Sequence, residues 1–497
     1  MNRLEEFIRT EGAVFPGKTY VEELLMPVFN DQRDYLFHVM FDIHRAHVIM
    51  LAEQGIIEKE EAKIMLEGIH KVAQTETSSL CYEPQFEDLF FMMEAKIGEE
   101  IGSELAGKIH IARSRNDMGV AMYRLVLREH ILTALDNAHR LSEALLTQAE
   151  SHTETYMTGY THTQPAQPTT LGHYLLAVYD VLQRDINRLW SAYRTVNQSP
   201  LGAAALTTTG FPVNRDRTCE LLGFDRIIEN SYDSIAGADY LLETAFSIMT
   251  LSVNTGRWIQ DFLQHVTREF GSFIVADPYV QISSIMPQKR NPVSIEHSRS
   301  IASSAFGDAL SAMNMIHNTP FGDIVDTEDD LQPHLYRAFN SVNRVLKLMY
   351  AVISTLQVNK EHMKDMAAQS SITITELADT LARDFNIPFR KAHSIASHIA
   401  KMSINQGKEL YEWAIEDINA HIQQFVNISL SEAEWQKIIS PEYFVEIRSI
   451  QGGPSPKEAQ RMAEERKEQL RRAEEEFNAV RKKLSSAHEK LVSSQWI

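Results

Sequence analysis

Three observations predict an all-α protein built around a central bundle of long helices. Between Val120 and Thr158 the chain has neither glycine nor proline. Within that run Ile131, Leu135, Ala138, Leu141, Leu145 and Ala149 recur at steps of three and four, the pattern of one buried helical stripe. At 1.5 Å per residue such a helix runs roughly 50 Å. Similar stretches follow at about 171–198, 236–270, 293–318 and 331–358, while period-2 alternation is scarce, so strands are minor.

Five long helices in succession predict an extended bundle over residues 113–360. Residues 1–112 read as a shorter helical domain with its own Gly/Pro punctuation, and 361–497 as a third helical domain. That last domain closes on an extended terminal helix. Ser455 is its N-cap and Pro456 its first residue. Leu470, Ala473, Phe477, Val480, Leu484, Ala487 and Leu491 then form a heptad-like seam, and Glu468 stands four residues before Arg472, the favourable order for a helical ion pair. The seam is expected to pack within its own chain or oligomer; a coiled coil for a separate partner is the alternative.

The composition narrows the function. A chain of 497 residues with 44% hydrophobic and 23% charged residues has material for a sizeable core. A net charge of −19 speaks against nucleic acid as a partner, yet a few focused cations still suit a small anionic substrate. Two cysteines, Cys81 and Cys219, make neither a disulfide framework nor a zinc site. The opening MNRLEEFIRTEG lacks the apolar centre of a signal peptide, and no apolar run approaches a membrane span. A soluble cytoplasmic protein is expected.

The unusual polar chemistry lies in the joints between the long helices. KIHIARSRNDM (108–118) sets Arg113, Ser114, Arg115 and Asn116 just before the longest helix. Read alone, it is either a helix cap or a carboxylate clamp. YTHTQPAQP (160–168) holds His162 between two threonines in a proline-stiffened turn, suited to a positioned acid, base or binding group. ISSIMPQKRNP (282–292) gathers Ser283, Ser284, Lys289, Arg290 and Asn291 without the G-x-S-x-G elbow of a serine hydrolase. By its residues it is an anion-handling loop.

Taken together these stretches resemble a known family. SSIMPQKRNP is similar to the signature loop of the fumarase/aspartase superfamily, whose members eliminate fumarate from succinyl-bearing substrates. RSRND (113–117), GYTHTQPAQP (159–168), PLGAAAL (200–206) and EFG (269–271) resemble the argininosuccinate lyase family within it. DIHRAH (42–47), ELADTLARDFNIPFRKAH (376–393) and IQGG (450–453) carry the likeness across nearly the whole chain to about residue 455. The resemblance implies Ser283 as the base that removes a proton next to a carboxylate. It implies His162 on the acid side or as a carboxylate binder, with Glu296 as its charge partner. Lys289 and Asn291 would stabilise the doubly negative aci-carboxylate, and Ser114, Arg115, Asn116, Thr161 and Gln164 would hold the substrate. The same resemblance implies a homotetramer whose core is the shared bundle, composite sites drawn from different chains, an N-succinyl amino substrate, and no metal or organic cofactor.

Four departures from the family pattern stand out. Ile282 replaces the glycine before the two serines, Met118 replaces a glutamine, and Phe90 in EDLFFMME (87–94) replaces a histidine. In DIVDTEDDL (323–331), Asp323, Glu328 and Leu331 replace the family's substrate-contacting Tyr, Gln and Lys. The elimination machinery is thus expected to be intact while the amine half of the substrate is in question. Argininosuccinate is the first expectation, another N-substituted aspartate such as an aminopolycarboxylic succinate the second, and a non-catalytic structural homologue the third.

Overall fold

The computed structural model describes residues 3–493, and the chain is all-α, with strands among the described residues confined to four two-stranded ribbons. The five long helices are α1 (Arg115–Ser151), α2 (Leu171–Val196), α3 (Asp239–His265), α4 (Val293–Ile316) and α5 (Gln332–Ser354). Helix α1 packs along α2 and α5, α3 along α2 and α4, and α4 against α5. Leu127, Leu135 and Leu141 of α1 meet Leu175, Leu182 and Leu189 of α2 in one continuous core. Helix α4 enters that core with Ala302, Ala305, Ala309 and Ala312, a stripe at helical spacing that lets α3 and α5 approach closely.

Helix α1 stops seven residues before the predicted Thr158 because the next segment pairs as a strand. Tyr156–Thr161 (β1) forms an antiparallel ribbon with Gln164–Thr170 (β2). Its Tyr, Met and Thr side chains suit a pleated surface better than a helix. Gly172 then lets the first turn of α2 lie on the end of α1: a Cβ there would sit 2.6 Å from the Ala149 carbonyl oxygen.

Two further hydrophobic clusters flank the bundle. One joins the helices Phe37–Glu53 and Leu89–Ile101 to Met118, Ala121 and Leu125 of α1. The other is local to the segment from Leu377 to Ile439. The terminal helix α6 (Pro456–Val492) does not pack into its sequence neighbour's cluster. Leu470, Phe477 and Leu484 of its seam enter the bundle core, and Leu491 enters the N-terminal cluster. The expected Glu468–Arg472 pair is present at 2.8 Å, and Arg466 makes a two-pronged contact with Asp180 of α2 at 2.7 Å. The heptad seam therefore serves its own chain.

Truncating a buried seam residue should cost far more than removing a surface ion pair. Phe477→Ala is expected to destabilise the protein by about 3–5 kcal/mol in urea unfolding, whereas Arg471→Ala, which breaks only exposed pairs with Glu468 and Glu475, should cost less than about 1 kcal/mol. Equal losses from the two would show that α6 is not docked.

Candidate active site

The start of α1 is a cap and a candidate binding element at once. The Ser114 hydroxyl accepts the Asn116 backbone N–H (3.3 Å) and donates to Asn116 Oδ1 (3.1 Å), while the Ser114 N–H donates to Asp117 Oδ1 (3.0 Å). The other carboxylate oxygen of the buried Asp117 accepts from the Gly202 and Ala204 N–H groups at 2.9 and 3.0 Å. One carboxylate thus ties RSRND to the PLGAAAL loop. Asn116 Nδ2 adds a bond to the Ala205 carbonyl at 3.3 Å. Arg115 reaches outward, 2.6 Å from Asp88 and 3.4 Å from Glu87, with its guanidinium 5.0 Å from the Phe91 ring centre.

His162 stands at the tip of the β1–β2 ribbon. The register pairs Thr161 with Gln164, which leaves His162 and Thr163 as a two-residue turn. Both have left-handed backbones, φ 51° and 62°. Hairpins of this length favour that geometry but usually place Asn or Gly there, so a histidine and a β-branched threonine are held under strain. Strain of this kind clusters at functional positions. Thr161, His162 and Gln164 are all exposed, and Gln167 bonds to Thr375 at 3.4 Å.

The Ser283 loop is a short hairpin in which Gln281–Ile282 (β3) pairs with Arg290–Asn291 (β4). Ser283 N–H donates to the Lys289 carbonyl, and Lys289 N–H to that of Met286 (3.4 and 3.0 Å). The Ser283 hydroxyl oxygen faces inward over the turn and accepts the N–H groups of Met286 (3.1 Å) and Ile285 (3.4 Å). Lys289 is exposed. Ile282 lies in extended backbone outside the left-handed region, so losing the family's glycine costs the loop no strain. Arg290 anchors the loop from outside through Asp277 and the Val275 carbonyl (2.9 Å). Glu296 is exposed in the first turn of α4, and among the described residues nothing in the chain pairs it with His162.

A cavity of about 280 Å³ brings Arg115 and Asn116 together with Asp323, Glu328 and Asp329, and with Phe90 and Met118. Neither Ser283 nor His162 lines it. Asp329 accepts from Gln32 and from the Tyr123 hydroxyl, each at 3.2 Å. Glu328 is hydrogen-bonded to Asp323; burial and that neighbouring carboxylate push its pKa up to about 8. Leu331 departs from expectation: fully buried in the bundle core, it seals the wall and does not face the cavity. Phe90 also lines a second cavity of about 690 Å³, together with His44, Glu94, His110 and Arg115. There Arg113 donates to His44 Nδ1 at 3.0 Å, which fixes the neutral tautomer with the proton on Nε2. Asp88 and Asp117 were not legible as site residues. Their only signal is a capping pattern, one before LFF and one three residues after Ser114.

The Glu328 carboxyl keeps a proton that the unfolded chain loses, between its ordinary pKa of 4.5 and about 8. Its contribution to stability therefore falls as pH rises through that window. Glu328→Gln is expected to raise the melting temperature over wild type at a pH near ~9, by about 2–4 °C, and to leave it unchanged near pH ~5. A pH-independent difference would refute the raised pKa of Glu328.

With this geometry in view, the comparisons with known proteins are direct. Residues 23–307 match the lyase family model, and 371–446 match the argininosuccinate lyase C-terminal model. Argininosuccinate lyase 2 of Agrobacterium fabrum is 40% identical, over 90% of both chains. The argininosuccinate lyase of Methanocaldococcus jannaschii is 36% identical, over 93% of this chain and 94% of its own. Among solved structures, EDDS lyase in complex with formate superposes with a TM-score of 0.84 at 30% identity, covering 97% of this chain and 95% of that one. The class II fumarase of Schistosoma mansoni, 16% identical over 84% of this chain and 90% of its own with a TM-score of 0.66, shares the fold. No helix among the described residues is long and apolar enough to cross a membrane. The chain is an enzyme of the lyase type and belongs to the argininosuccinate lyase family of the fumarase/aspartase superfamily.

Proposed function

We propose that the protein cleaves argininosuccinate to fumarate and arginine by β-elimination, as a cytoplasmic homotetramer serving arginine biosynthesis. The observation that carries this reading is the Ser283 hydroxyl oxygen receiving two backbone N–H groups. A serine is a base only if its alkoxide is stabilised, and those donors face the oxygen on which the charge resides. Ser283 takes the proton from the carbon beside the carboxylate. The electron pair forms the aci-carboxylate, stabilised by Lys289 and Asn291. As it collapses to the double bond, the carbon–nitrogen bond breaks with its pair on nitrogen, and the amine leaves with a proton from the His162 side. Ser114, Arg115, Asn116, Thr161 and Gln164 hold the substrate, and Glu296 is the charge partner of His162.

Where these groups sit supports composite sites. The Arg115 cavity, the His162 turn and the Ser283 loop are separate features of one chain. Beside Ser283, Ile282 and Ile285 are 68% and 83% exposed, apolar surface that a neighbouring chain would cover. The three helical domains are assigned to 1–112, 113–360 and 361–497, with the middle one at the tetramer centre. A second reading, a lyase for another N-substituted aspartate, is favoured by the likeness to EDDS lyase and by the acid pair in the cavity.

Purified protein should release fumarate from argininosuccinate. Ser283→Ala should lower kcat by about 100-fold or more with KM nearly unchanged, since the base acts in the transition state; a variant keeping more than about a tenth of the rate would not have lost its base. Reassembling a mixture of inactive His162→Asn and Arg115→Met variants should restore part of the activity. A stable, active monomer would refute the composite site.

A further inference from the structure

We infer that Arg215 is a positioning residue for substrate binding: it fixes the two walls of the Arg115 cavity relative to each other without touching the substrate. This rests on the elimination reading above and concerns binding alone.

The half-buried guanidinium of Arg215 donates to five neutral acceptors drawn from two segments of the chain. On one side are the carbonyls of Leu201 (2.9 Å) and Pro200 (3.5 Å). On the other are the carbonyls of Ile228 (2.8 Å) and Glu229 (3.0 Å) and the Ser234 hydroxyl (3.2 Å). Among the described residues no carboxylate forms an ion pair with it, so the joint depends on its planar fork of donors more than on its charge. Gly202 makes room for the contact. Its backbone is left-handed (φ 83°), and a Cβ there would lie 2.6 Å from Arg215 Cγ, so the arginine stem lies where a side chain would be.

Each segment leads to one wall of the cavity. The 200–206 loop meets α1 through the Gly202 and Ala204 N–H groups on Asp117 and the Ala205 carbonyl on Asn116. It thereby sets the turn that carries Arg115 and Asn116. Ala204 has a left-handed backbone (φ 54°), a strained form that persists only where its surroundings hold it. The second segment carries Tyr232, whose ring stacks on Phe321 with 5.8 Å between centres and whose hydroxyl donates to the Phe321 carbonyl at 3.1 Å. From the stretch that follows Phe321, Asp323, Glu328 and Asp329 line the cavity. Arg215 does not line it. The bonds that hold the Ser283 loop run to Asp277, to Val275 and within the loop itself, so they involve neither segment.

Lysine in place of Arg215 offers one ammonium to five acceptors and lacks the fork, so the two segments lose their common anchor. Displaced walls weaken contacts to the substrate in its ground state and transition state alike, which raises KM and leaves kcat. The test is steady-state fumarate release from argininosuccinate, with thermal unfolding measured alongside. Arg215→Lys should raise KM about tenfold or more while kcat stays within about threefold of wild type. Tyr232→Ala, at an exposed position, should raise KM about threefold with the melting temperature nearly unchanged. The double variant should show less than the product of the two effects, because both act on one connection. A fall in kcat with KM unchanged, or fully multiplicative effects, would overturn the inference and leave the elimination reading standing. Should Arg215→Lys fail to fold, Tyr232→Ala decides: an unchanged KM there overturns the inference. No fumarate from the wild-type enzyme would overturn both.

Discussion

The buried carboxylate of Asp117 is the contact on which the first turn of α1 and the loop packed against it depend. Three backbone N–H groups from two distant segments converge on it, so the first turn of α1 and the 200–206 loop cannot move independently. Burial raises its pKa and the backbone donors oppose that shift. Removing the side chain would leave three half-buried donors without their acceptor, each costing less than the roughly 1–3 kcal/mol of a fully buried one. Behind that knot α1 runs as a rigid rod into the core, so the position of Arg115 and Asn116 is set by the packing of the whole bundle. The same device recurs at IQGG. Gly452 N–H donates to Glu458 at the start of α6, its carbonyl accepts a hydrogen bond from His173 Nε2–H, and a Cβ on Gly453 would lie 2.1 Å from the Arg448 carbonyl oxygen.

Where the sequence was legible, one physical signal dominated its segment. The long helices are read from period and from missing helix breakers, and four of the five are found within a few residues of the stretches read from the sequence. Ser455, Pro456 and the seam of α6 follow from capping and heptad spacing alone. What the pattern could not resolve was competition. At 152–158 helix and strand compete, and the partner strand that decides it lies beyond a turn whose residues, His162 and Thr163, are not ones a two-residue hairpin normally takes. Nor could spacing reveal that Leu331 points into the core while Asp323 and Glu328, in the same loop, point into a cavity.

The proposed site divides into a reaction half at the Ser283 loop and a recognition half at the Arg115 cavity, with different physical demands. In the proposed elimination, proton abstraction needs oriented donors, and the backbone N–H groups that reach the Ser283 hydroxyl stay in place when neighbouring side chains are substituted. Recognition of the leaving amine needs matched charge and volume, and these change with single side chains. That is why the family resemblance is complete in the Ser283 loop's polar residues and broken at Phe90, Met118, Asp323 and Glu328, all four of which line the Arg115 cavity. A lyase can thus keep one chemistry while its leaving group varies.

The path of α6 bears on how the chain is made. Leu491 completes a hydrophobic cluster otherwise built from residues before 225, while Leu470, Phe477 and Leu484 lie against helices formed hundreds of residues earlier. During synthesis from the N-terminus, that cluster emerges early with one apolar notch open, and it stays open until α6 leaves the ribosome. The notch is filled by contacts of long sequence separation, which form late because the entropy of closing so long a loop must be lost before they form. Closure of this part of the fold is therefore a clasp made by α6, and a chain still lacking α6 is marked by an exposed apolar groove.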